Sequence, residues 1–242
     1  MKITVFNGSP RKEKSTTQIM VESFLKGAGE AGGEGETVFL AEKNIKPCQG
    51  CMNCWLKTPG QCSIRDDMAE LLRKSLDSQL VVFASPVYVG GVTGIMKNFI
   101  DRLIPIADPH IGINEEGKAY HPNRWAMPPV VLISNSGFPF RYHFDYFRSS
   151  FAYMQECTTD FKIIAEIYRD QGPLLALNDQ LLLIPVLSGY RKLLQKAGRE
   201  IVENQTLSES TKEALAKPLI SPQMYVQEAN KSMDKALAAI KS

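Results

Sequence analysis

The sequence lacks the features that mark several large classes of protein. Its 242 residues carry 28 basic and 26 acidic side chains, and this net charge of +2 is too small to indicate binding to nucleic acid or to an anionic membrane. No apolar run is long enough to span a bilayer, and residues 1–6 have strand character rather than the anatomy of a signal peptide. We therefore expect a cytoplasmic protein with no nucleic-acid or membrane partner.

The loop after the first predicted strand lacks the motifs for binding pyrophosphate and triphosphate. Neither G-x-G-x-x-G nor G-x4-G-K-[ST] occurs in residues 8–17. Histidine is scarce, and the three histidines are scattered along the sequence. We therefore assign His110, His121 and His143 no catalytic role.

Cysteine is rare except in one segment. Cys48, Cys51, Cys54 and Cys62 follow the spacing C-x2-C-x2-C-x7-C, and the rest of the chain holds only Cys157. Thiolates clustered so tightly usually serve a metal, a cluster or redox exchange, and a reducing compartment disfavours structural disulfides. Three near cysteines and a more distant fourth suit a four-thiolate iron-sulfur site. Tetrahedral zinc, free thiols and a redox disulfide remain alternatives.

Apolar runs alternate with helical patterns as far as Tyr168. The strands predicted from these runs are Lys2–Phe6, Glu36–Leu40, Leu80–Ala84, Val130–Ser134 and Phe161–Tyr168. This alternation predicts a parallel sheet that is covered on both faces. An irregular insert occupies residues 105–129. The chain from about residue 174 is helical, with breaks expected at Pro185, Gly189, Pro218 and Pro222.

Three loops follow strands whose carboxyl ends meet at one edge of such a sheet, which is where ligands bind. Residues 8–17 combine hydroxyl groups and an arginine with the start of a helix, and this suits a monophosphate. Residues 85–93 offer a flat, semi-apolar surface for a planar ring. Residues 135–140 can supply backbone amides at the other edge of that ring. Taken alone, each loop is also explained as an ordinary turn or a cap on the core.

Together these segments resemble a known family. The chain resembles the NADPH-dependent FMN reductase group of flavodoxin-like proteins. The residues that carry this resemblance are Gly8-Ser9-Pro10-Arg11 with Ser15-Thr16, Ser85-Pro86-Val87-Tyr88, and Lys97 with Asp101-Arg102. The cysteine segment, followed by Asp66-Asp67-Met68, resembles the iron-sulfur flavoproteins within that group. The resemblance covers residues 1–104 closely and 128–168 more loosely. It covers neither the insert nor the chain after about residue 172.

The resemblance implies a fold, a cofactor and a set of site residues. The fold is a flavodoxin-like, doubly wound α/β domain over residues 1–172, with a five-stranded parallel sheet of order 2-1-3-4-5. The pattern of the residues themselves, outside the resemblance, adds a helical C-terminal extension over 173–242. The phosphate of FMN would be held by Ser9, Arg11, Ser15, Thr16 and Thr17. The isoalloxazine would lie along Pro86, Val87, Tyr88 and Val89, with its far edge near Asn135, Ser136 and Gly137. We interpret Lys97, Asp101 and Arg102 as helix-surface salt bridges or subunit contacts.

The sequence therefore predicts an FMN-dependent oxidoreductase. It would take electrons from NAD(P)H, bound transiently over the flavin, and pass them to a small acceptor or to a [4Fe-4S] cluster on the four clustered cysteines. The alternatives are a non-enzymatic electron carrier like flavodoxin and a zinc-stabilised binding module. Apolar residues of the tail, such as Tyr190 and Leu194, exceed what five strands can cover. We therefore expect a homodimer or homotetramer, unless the tail covers its own sheet.

Overall fold

A computed structural model describes residues 1–177 and 180–241. Its strands, in chain order, are β1 (Lys2–Asn7), β2 (Glu34–Phe39), β3 (Leu80–Pro86), β4 (Gly112–Ile113), β5 (Ala119–Tyr120), β6 (Val130–Asn135) and β7 (Ile163–Arg169). The main sheet is parallel, with the order β2-β1-β3-β6-β7. Since β4 and β5 form a separate hairpin in the insert, this is the predicted order 2-1-3-4-5, and the flavodoxin-like fold is confirmed.

Helices cover both faces of the sheet. In chain order they are α1 (Thr16–Glu30), α2 (Asn53–Leu56), α3 (Met68–Leu76), α4 (Gly94–Asp101), α5 (Asp145–Cys157), α6 (Ile184–Asn204), α7 (Glu209–Ala216) and α8 (Pro222–Lys241). Side chains alternate across each strand, so Val5 packs with α1 and α6 while Phe6 packs with α3, α4 and α5. Phe6 stacks on Phe99 of α4 at 4.6 Å, and burying each such ring contributes about 1.5–3 kcal/mol. Within the residues described, no helix is both long and apolar enough to cross a membrane.

Helix α6 of the extension packs directly on α1. Two glycines allow this, because an added Cβ at Gly27 would lie 1.8 Å from Gln195 O and one at Gly198 would lie 2.0 Å from Phe24 O. Tyr190 is consequently buried within its own chain. The extension thus covers one face of its own sheet, which was the alternative to a subunit contact for these apolar side chains. Residues 178, 179 and 242 of the predicted extension lie outside the described part of the chain.

The insert and the tail differ from the prediction in their local order. The insert contains the β4–β5 hairpin and a short 3-10 helix at Ile104–Ile106 rather than irregular chain alone. Gly189 lies inside α6 and does not break it. Pro185 and Pro222 lie in the first turns of α6 and α8, where the N–H that proline lacks would have no acceptor within the helix.

Candidate active site

The carboxyl ends of the central strands open into one cavity, here called the strand-end cavity. Its volume is about 230 Å³. The residues that line it come from the loops after β1, β3, β6 and β7: Ser9, Arg11, Ser15, Thr16, Thr17, Pro86, Val87, Tyr88, Asn135, Gly137 and Pro173. A larger hollow of about 430 Å³ lies beside β7, but its arginine, Arg141, already donates to Tyr168 O. The strand-end cavity is the stronger candidate because ligands of doubly wound sheets bind at this edge.

The first loop enters α1 through a side-chain cap. Ser15 Oγ accepts from the backbone N–H of Gln18 at 3.0 Å and donates to Lys12 O at 2.6 Å, so its proton is already in use. The N–H groups of Thr16 and Thr17 occupy the first turn, where no acceptor exists within the helix. No acidic residue lies in that turn. The start of α1 therefore presents partial positive charge to the cavity.

Three further hydroxyls in the cavity wall are held as hydrogen-bond acceptors. Thr17 Oγ1 accepts from Asn135 Nδ2 at 2.7 Å, and Thr16 Oγ1 lies 3.5 Å from Arg11 Nη2. Ser9 Oγ lies 3.4 Å from the backbone N of Arg11. Each of these hydroxyls keeps its own proton available for a bound anion. The wall also carries one guanidinium and, among the lining residues described, no carboxylate. These groups fit a phosphate monoester.

The second loop forms a tight turn at the mouth of the cavity. Tyr88 N donates to Gly91 O at 2.9 Å, and Gly91 N donates back to Tyr88 O at 3.1 Å. Both central residues have positive φ, 48° at Val89 and 82° at Gly90, as a type I′ turn requires. A β-branched residue is strained in this conformation. The side chain of Val89 is fully exposed, so Val89 lies at the rim of the cavity rather than in its wall.

The third loop joins the other two through its backbone. Val87 N donates to Asn135 O at 2.8 Å. Ser136 Oγ accepts from the N–H of Phe138 at 3.1 Å and thus stabilises the turn. Gly172 packs so closely that an added Cβ would lie 2.9 Å from Asn135 Oδ1. The loop is therefore held in place from the side of β7.

The C-terminal extension supports this side of the cavity. Tyr225 Oη donates to Gly137 O at 2.6 Å, and burial raises the pKa of Tyr225, which keeps it a neutral donor. Gln171 Oε1 accepts from Leu219 N at 2.9 Å, and Gln171 Nε2 donates to Ile220 O at 2.8 Å. The extension thus connects to the loops that follow β6 and β7.

The structure brings together every residue predicted to contact the cofactor except Val89 and Ser136. Val89 is at the rim, and Ser136 is buried in the turn beside the wall. Sequence reasoning missed Pro173, which follows the fifth strand of the sheet. The available signal was the position of Gly172-Pro173, because the carboxyl end of that strand lies at the same edge as the other three.

The cysteine segment, residues 47–65, is a loop closed at its base by two aspartates. Asp66 Oδ2 accepts from Lys46 N at 2.9 Å. Asp67 Oδ2 accepts from Asn44 N at 2.8 Å, and Asp67 N donates to Asn44 O at 3.1 Å. These bonds fix the two ends of the segment beside each other.

Arg102 is buried at the same base, with 1% of its surface exposed. Its Nη1 and Nη2 bind the two oxygens of Asp66 at 2.7 and 3.0 Å. Nη1 also donates to Lys46 O at 2.7 Å, and Nη2 donates to Cys62 Sγ at 3.4 Å. Burial alone would lower the pKa of Arg102, but Asp66 and Cys62 hold it above its usual range. Burial likewise opposes ionisation of Asp66, and the bonds from Arg102 and from backbone amides outweigh it and lower the pKa of the carboxyl.

The interpretation of Arg102 as a helix-surface pair or subunit contact is therefore wrong. Lys97 and Asp101 do form an exposed salt bridge at 2.6 Å, with the i,i+4 spacing that the sequence predicts. Arg102 differs because it is the C-terminal cap of α4. The chain leaves the helix at this residue, so helical spacing does not reveal where the side chain goes.

The four clustered cysteines differ in exposure and form no disulfide in the described part of the chain. Cys48 and Cys51 are exposed, Cys62 is half-buried and Cys54 is buried. Among residues 1–177 and 180–241, no three histidine, cysteine or acidic side chains are already gathered as metal ligands. Four soft thiolates within one loop still fit an iron-sulfur cluster or zinc by their chemistry. A cluster would have to draw these side chains together.

Two of the thiols are shifted in opposite directions. A backbone hydrogen bond at Asn53 and the hydroxyl of Ser63, 3.6 Å from the sulfur, lower the pKa of Cys51. Burial raises the pKa of Cys54, and the nearby Cys62 adds to the effect. The segment therefore contains one exposed thiol whose ionisation is favoured by its surroundings and one buried thiol whose ionisation is opposed by them.

The insert and the cysteine segment pack against each other through tryptophan. Trp55 Nε1 donates to Ile104 O at 3.2 Å, and the Trp55 ring lies 5.0 Å from the ring of His121. Trp125 covers Gly60, where an added Cβ would lie 2.4 Å from the indole. Both tryptophans of the chain thus flank this segment, and sequence reasoning had given neither a role.

Comparison with known proteins agrees with this geometry. The sequence profile described as NADPH-dependent FMN reductase matches residues 1–142. An iron-sulfur flavoprotein of Methanocaldococcus jannaschii is 41% identical over 106 residues, which are 44% of this chain and 53% of the relative. An iron-sulfur flavoprotein of Archaeoglobus fulgidus is 44% identical over 105 residues, 43% of this chain and 46% of the relative. The chain spans about half the length of the curated relatives it matches.

A solved structure is similar in fold. The FMN-dependent NADH-azoreductase from Bacillus anthracis, in complex with FMN, superposes with a TM-score of 0.59 over 83% of this chain and 99% of that chain. The two sequences are 16% identical. At this identity the likeness supports the flavodoxin-like fold and nothing finer.

Proposed function

The chain belongs to the NADPH-dependent FMN reductase family, and from this premise we propose that it is an FMN-dependent oxidoreductase that takes electrons from NAD(P)H. The observation that carries the proposal is the strand-end cavity. Its wall combines the start of α1, the guanidinium of Arg11 and three hydroxyl protons that the protein itself does not use. Neither of the two larger hollows, beside β7 and beside the β4–β5 hairpin, combines an unopposed guanidinium with a helix start in this way.

The protein's residues would bind and orient the cofactor. Ser9, Arg11, Thr16 and Thr17 would hold the phosphate with their side chains, and Ser15 would act through the cap that exposes the first-turn amides. The isoalloxazine would lie along Pro86, Val87, Tyr88 and Val89, with Asn135, Ser136 and Gly137 at its far edge. When bound, FMN supplies hydride acceptance and the release of electrons singly or in pairs. We therefore assign no catalytic side chain.

The acceptor side of the proposal concerns the cysteine segment. Two relatives that match this chain carry the name iron-sulfur flavoprotein. The donor set of Cys48, Cys51, Cys54 and Cys62 supports the same assignment, because four thiolates are the usual ligands of a [4Fe-4S] cluster. We propose that these four residues hold a cluster that exchanges electrons with the flavin or with a small acceptor.

Assembly is the remaining part of the proposal. Leu181 and Leu182 are 81% and 92% exposed. Phe140, Tyr142 and Tyr146 also expose much of their rings, and Tyr146 lies against Gly91 in the turn at the mouth of the strand-end cavity. Exposed apolar groups of this kind mark subunit contacts. We propose a homodimer or homotetramer in which these exposed side chains are covered.

Anaerobic purification followed by analysis of FMN, iron and acid-labile sulfide tests the proposal. We expect one FMN per chain, iron and sulfide in the wild type, and no iron in a Cys54→Ala variant that keeps its FMN. Turnover of NADPH with a soluble acceptor should exceed that of free FMN. Cys157→Ala is the matched control and should keep both cofactors. Protein that takes up no FMN contradicts the whole proposal, whereas zinc without iron contradicts only the cluster.

A further inference from the structure

The ion pair of Arg102 and Asp66 lies where the end of α4 meets the base of the cysteine segment. Both side chains are almost completely buried, at 1% and 0% exposure. Burying two charges is costly, and a pair that only stabilised the fold could be replaced by apolar side chains with little loss. The position of the pair therefore indicates a task beyond stability.

The contacts of Arg102 divide into two groups. One edge of its guanidinium binds the carboxylate of Asp66 through both oxygens. The two outer nitrogens also reach the segment itself, Nη1 at Lys46 O and Nη2 at Cys62 Sγ, 3.4 Å away, whereas Nε has no hydrogen-bond partner. A lysine ammonium could not span these acceptors, because its three donors radiate from one atom. This set of contacts therefore requires arginine, and one of its hydrogen bonds is made to the sulfur of Cys62.

We propose that Arg102 is a positioning residue for Cys62, which it holds in place and whose sulfur it supplies with a charge-assisted hydrogen bond. Asp66 fixes the guanidinium for this task. Where it concerns a bound cluster, this inference rests on the proposed function. Hydrogen bonds to ligand sulfurs stabilise the reduced, more negative form of a cluster. Arg102 would accordingly raise the reduction potential of the cluster.

A double-mutant cycle on the metal-free protein tests the contact without any cofactor. The unfolding equilibrium is measured for the wild type, Arg102→Lys, Cys62→Ala and the double variant in reducing buffer with chelator. We expect the two changes to be coupled by at least threefold in the unfolding constant. The same cycle with Cys51→Ala is the control, because the Cys51 sulfur lies against Ser63 rather than Arg102. Coupling at Cys62 no larger than at Cys51 overturns the proposal.

A second set of variants covers the case in which Arg102→Lys does not fold. The double variant Asp66→Asn/Arg102→Gln leaves no uncompensated buried charge and can replace Arg102→Lys as one arm of the cycle. Its control is Asp108→Asn/Arg124→Gln, which removes the ion pair of the insert, 3.0 Å between Arg124 Nη1 and Asp108 Oδ2. This control should show no coupling with Cys62.

The reduction potential of the reconstituted cluster gives the readout that a purely structural role would not change. In Arg102→Lys we expect a more negative midpoint potential of the cluster. The ratio of oxidised to reduced cluster at a given potential should rise by up to tenfold, which corresponds to 59 mV for a one-electron couple. The Arg124 control should keep the wild-type midpoint. An unchanged midpoint in Arg102→Lys overturns the tuning role. If the wild type takes up no iron, the proposed cluster fails, and the cycle alone still decides whether Arg102 positions Cys62.

Discussion

Replacing Gly198 by alanine tests the packing of α6, in the C-terminal extension, against α1. The added Cβ would lie 2.0 Å from Phe24 O and 2.7 Å from Ala28 N, and both are backbone atoms of α1. Neither atom can move without displacing the helix. Overpacking of this kind costs about 3 kcal/mol, and at this chain length we expect Tm to fall by about 6–12 °C.

Gly189 provides a matched control in the same helix. An added Cβ at Gly189 would meet no atom within 4 Å. Because alanine is favoured over glycine in a helix interior by about 0.5–1 kcal/mol, Gly189→Ala should leave Tm unchanged or raise it slightly.

Thermal unfolding followed by circular dichroism compares the two variants directly. We expect Gly198→Ala to lower Tm and Gly189→Ala to leave it unchanged or raise it slightly, although the chemical change is the same. If Gly198→Ala is tolerated as well as Gly189→Ala, then α6 does not lie against α1 within one chain in solution. A contact with a partner subunit would then explain the apolar residues of the extension.

Three further predictions concern the two candidate sites. Arg11→Ala should weaken FMN binding about tenfold in a fluorescence titration, because a charge-assisted hydrogen bond is lost. The control Lys14→Ala, on the same loop, should change the affinity for FMN less than twofold. Equal effects of the two variants would contradict a specific phosphate contact. The pKa of Asp66 is lower in the folded state, so its ionised form stabilises the fold above pH ~4 and this contribution is lost as the pH falls through the folded pKa. The stability gap between wild type and Asp66→Asn should therefore shrink on acidification, and a gap that stays constant from neutral to acidic pH would refute it. Tyr225→Phe removes the donor to Gly137 O and should lower the unfolding free energy by about 1 kcal/mol. It should also weaken FMN binding, and an unchanged affinity for FMN would show that the extension does not support the cavity.

The sheet and the strand-end loops could be predicted because each rests on a local pattern. β3 is a continuous apolar run, and every one of its residues is buried. The first loop ends in Ser15, a residue type that caps helices, and it does cap α1. Once a parallel sheet is predicted, the strand ends place these loops beside one another.

The role of Arg102 could not be predicted in the same way. Its neighbours in sequence, Lys97 and Asp101, obey helical spacing, and they do pair on the surface. Arg102 lies one residue past the helix, and its partners Asp66 and Cys62 are far away in sequence. Only the tertiary arrangement of α4 against the base of the cysteine segment brings these three together.

The surface covered by the C-terminal extension could not be predicted for a related reason. Its apolar residues fit either its own sheet or a partner, and sequence alone does not show which surface they meet. The contact is made possible by Gly27 and Gly198, which allow α1 and α6 to approach closely. A glycine within a helical pattern was instead interpreted as a break, which is wrong for Gly189 in α6.

The central claim is that the strand-end cavity holds FMN and that a reduced nicotinamide delivers electrons to it. Anaerobic stopped-flow mixing of the FMN-loaded full chain with NADPH or NADH, followed through the flavin absorbance, tests this most directly. We predict that FMN is bound and that its absorbance bleaches with at least one donor, at a rate that saturates with donor concentration. In Arg11→Ala the amplitude of bleaching should decrease in proportion to the FMN that this variant has lost. A chain that binds no FMN, or bound FMN that stays oxidised with both donors, would contradict it.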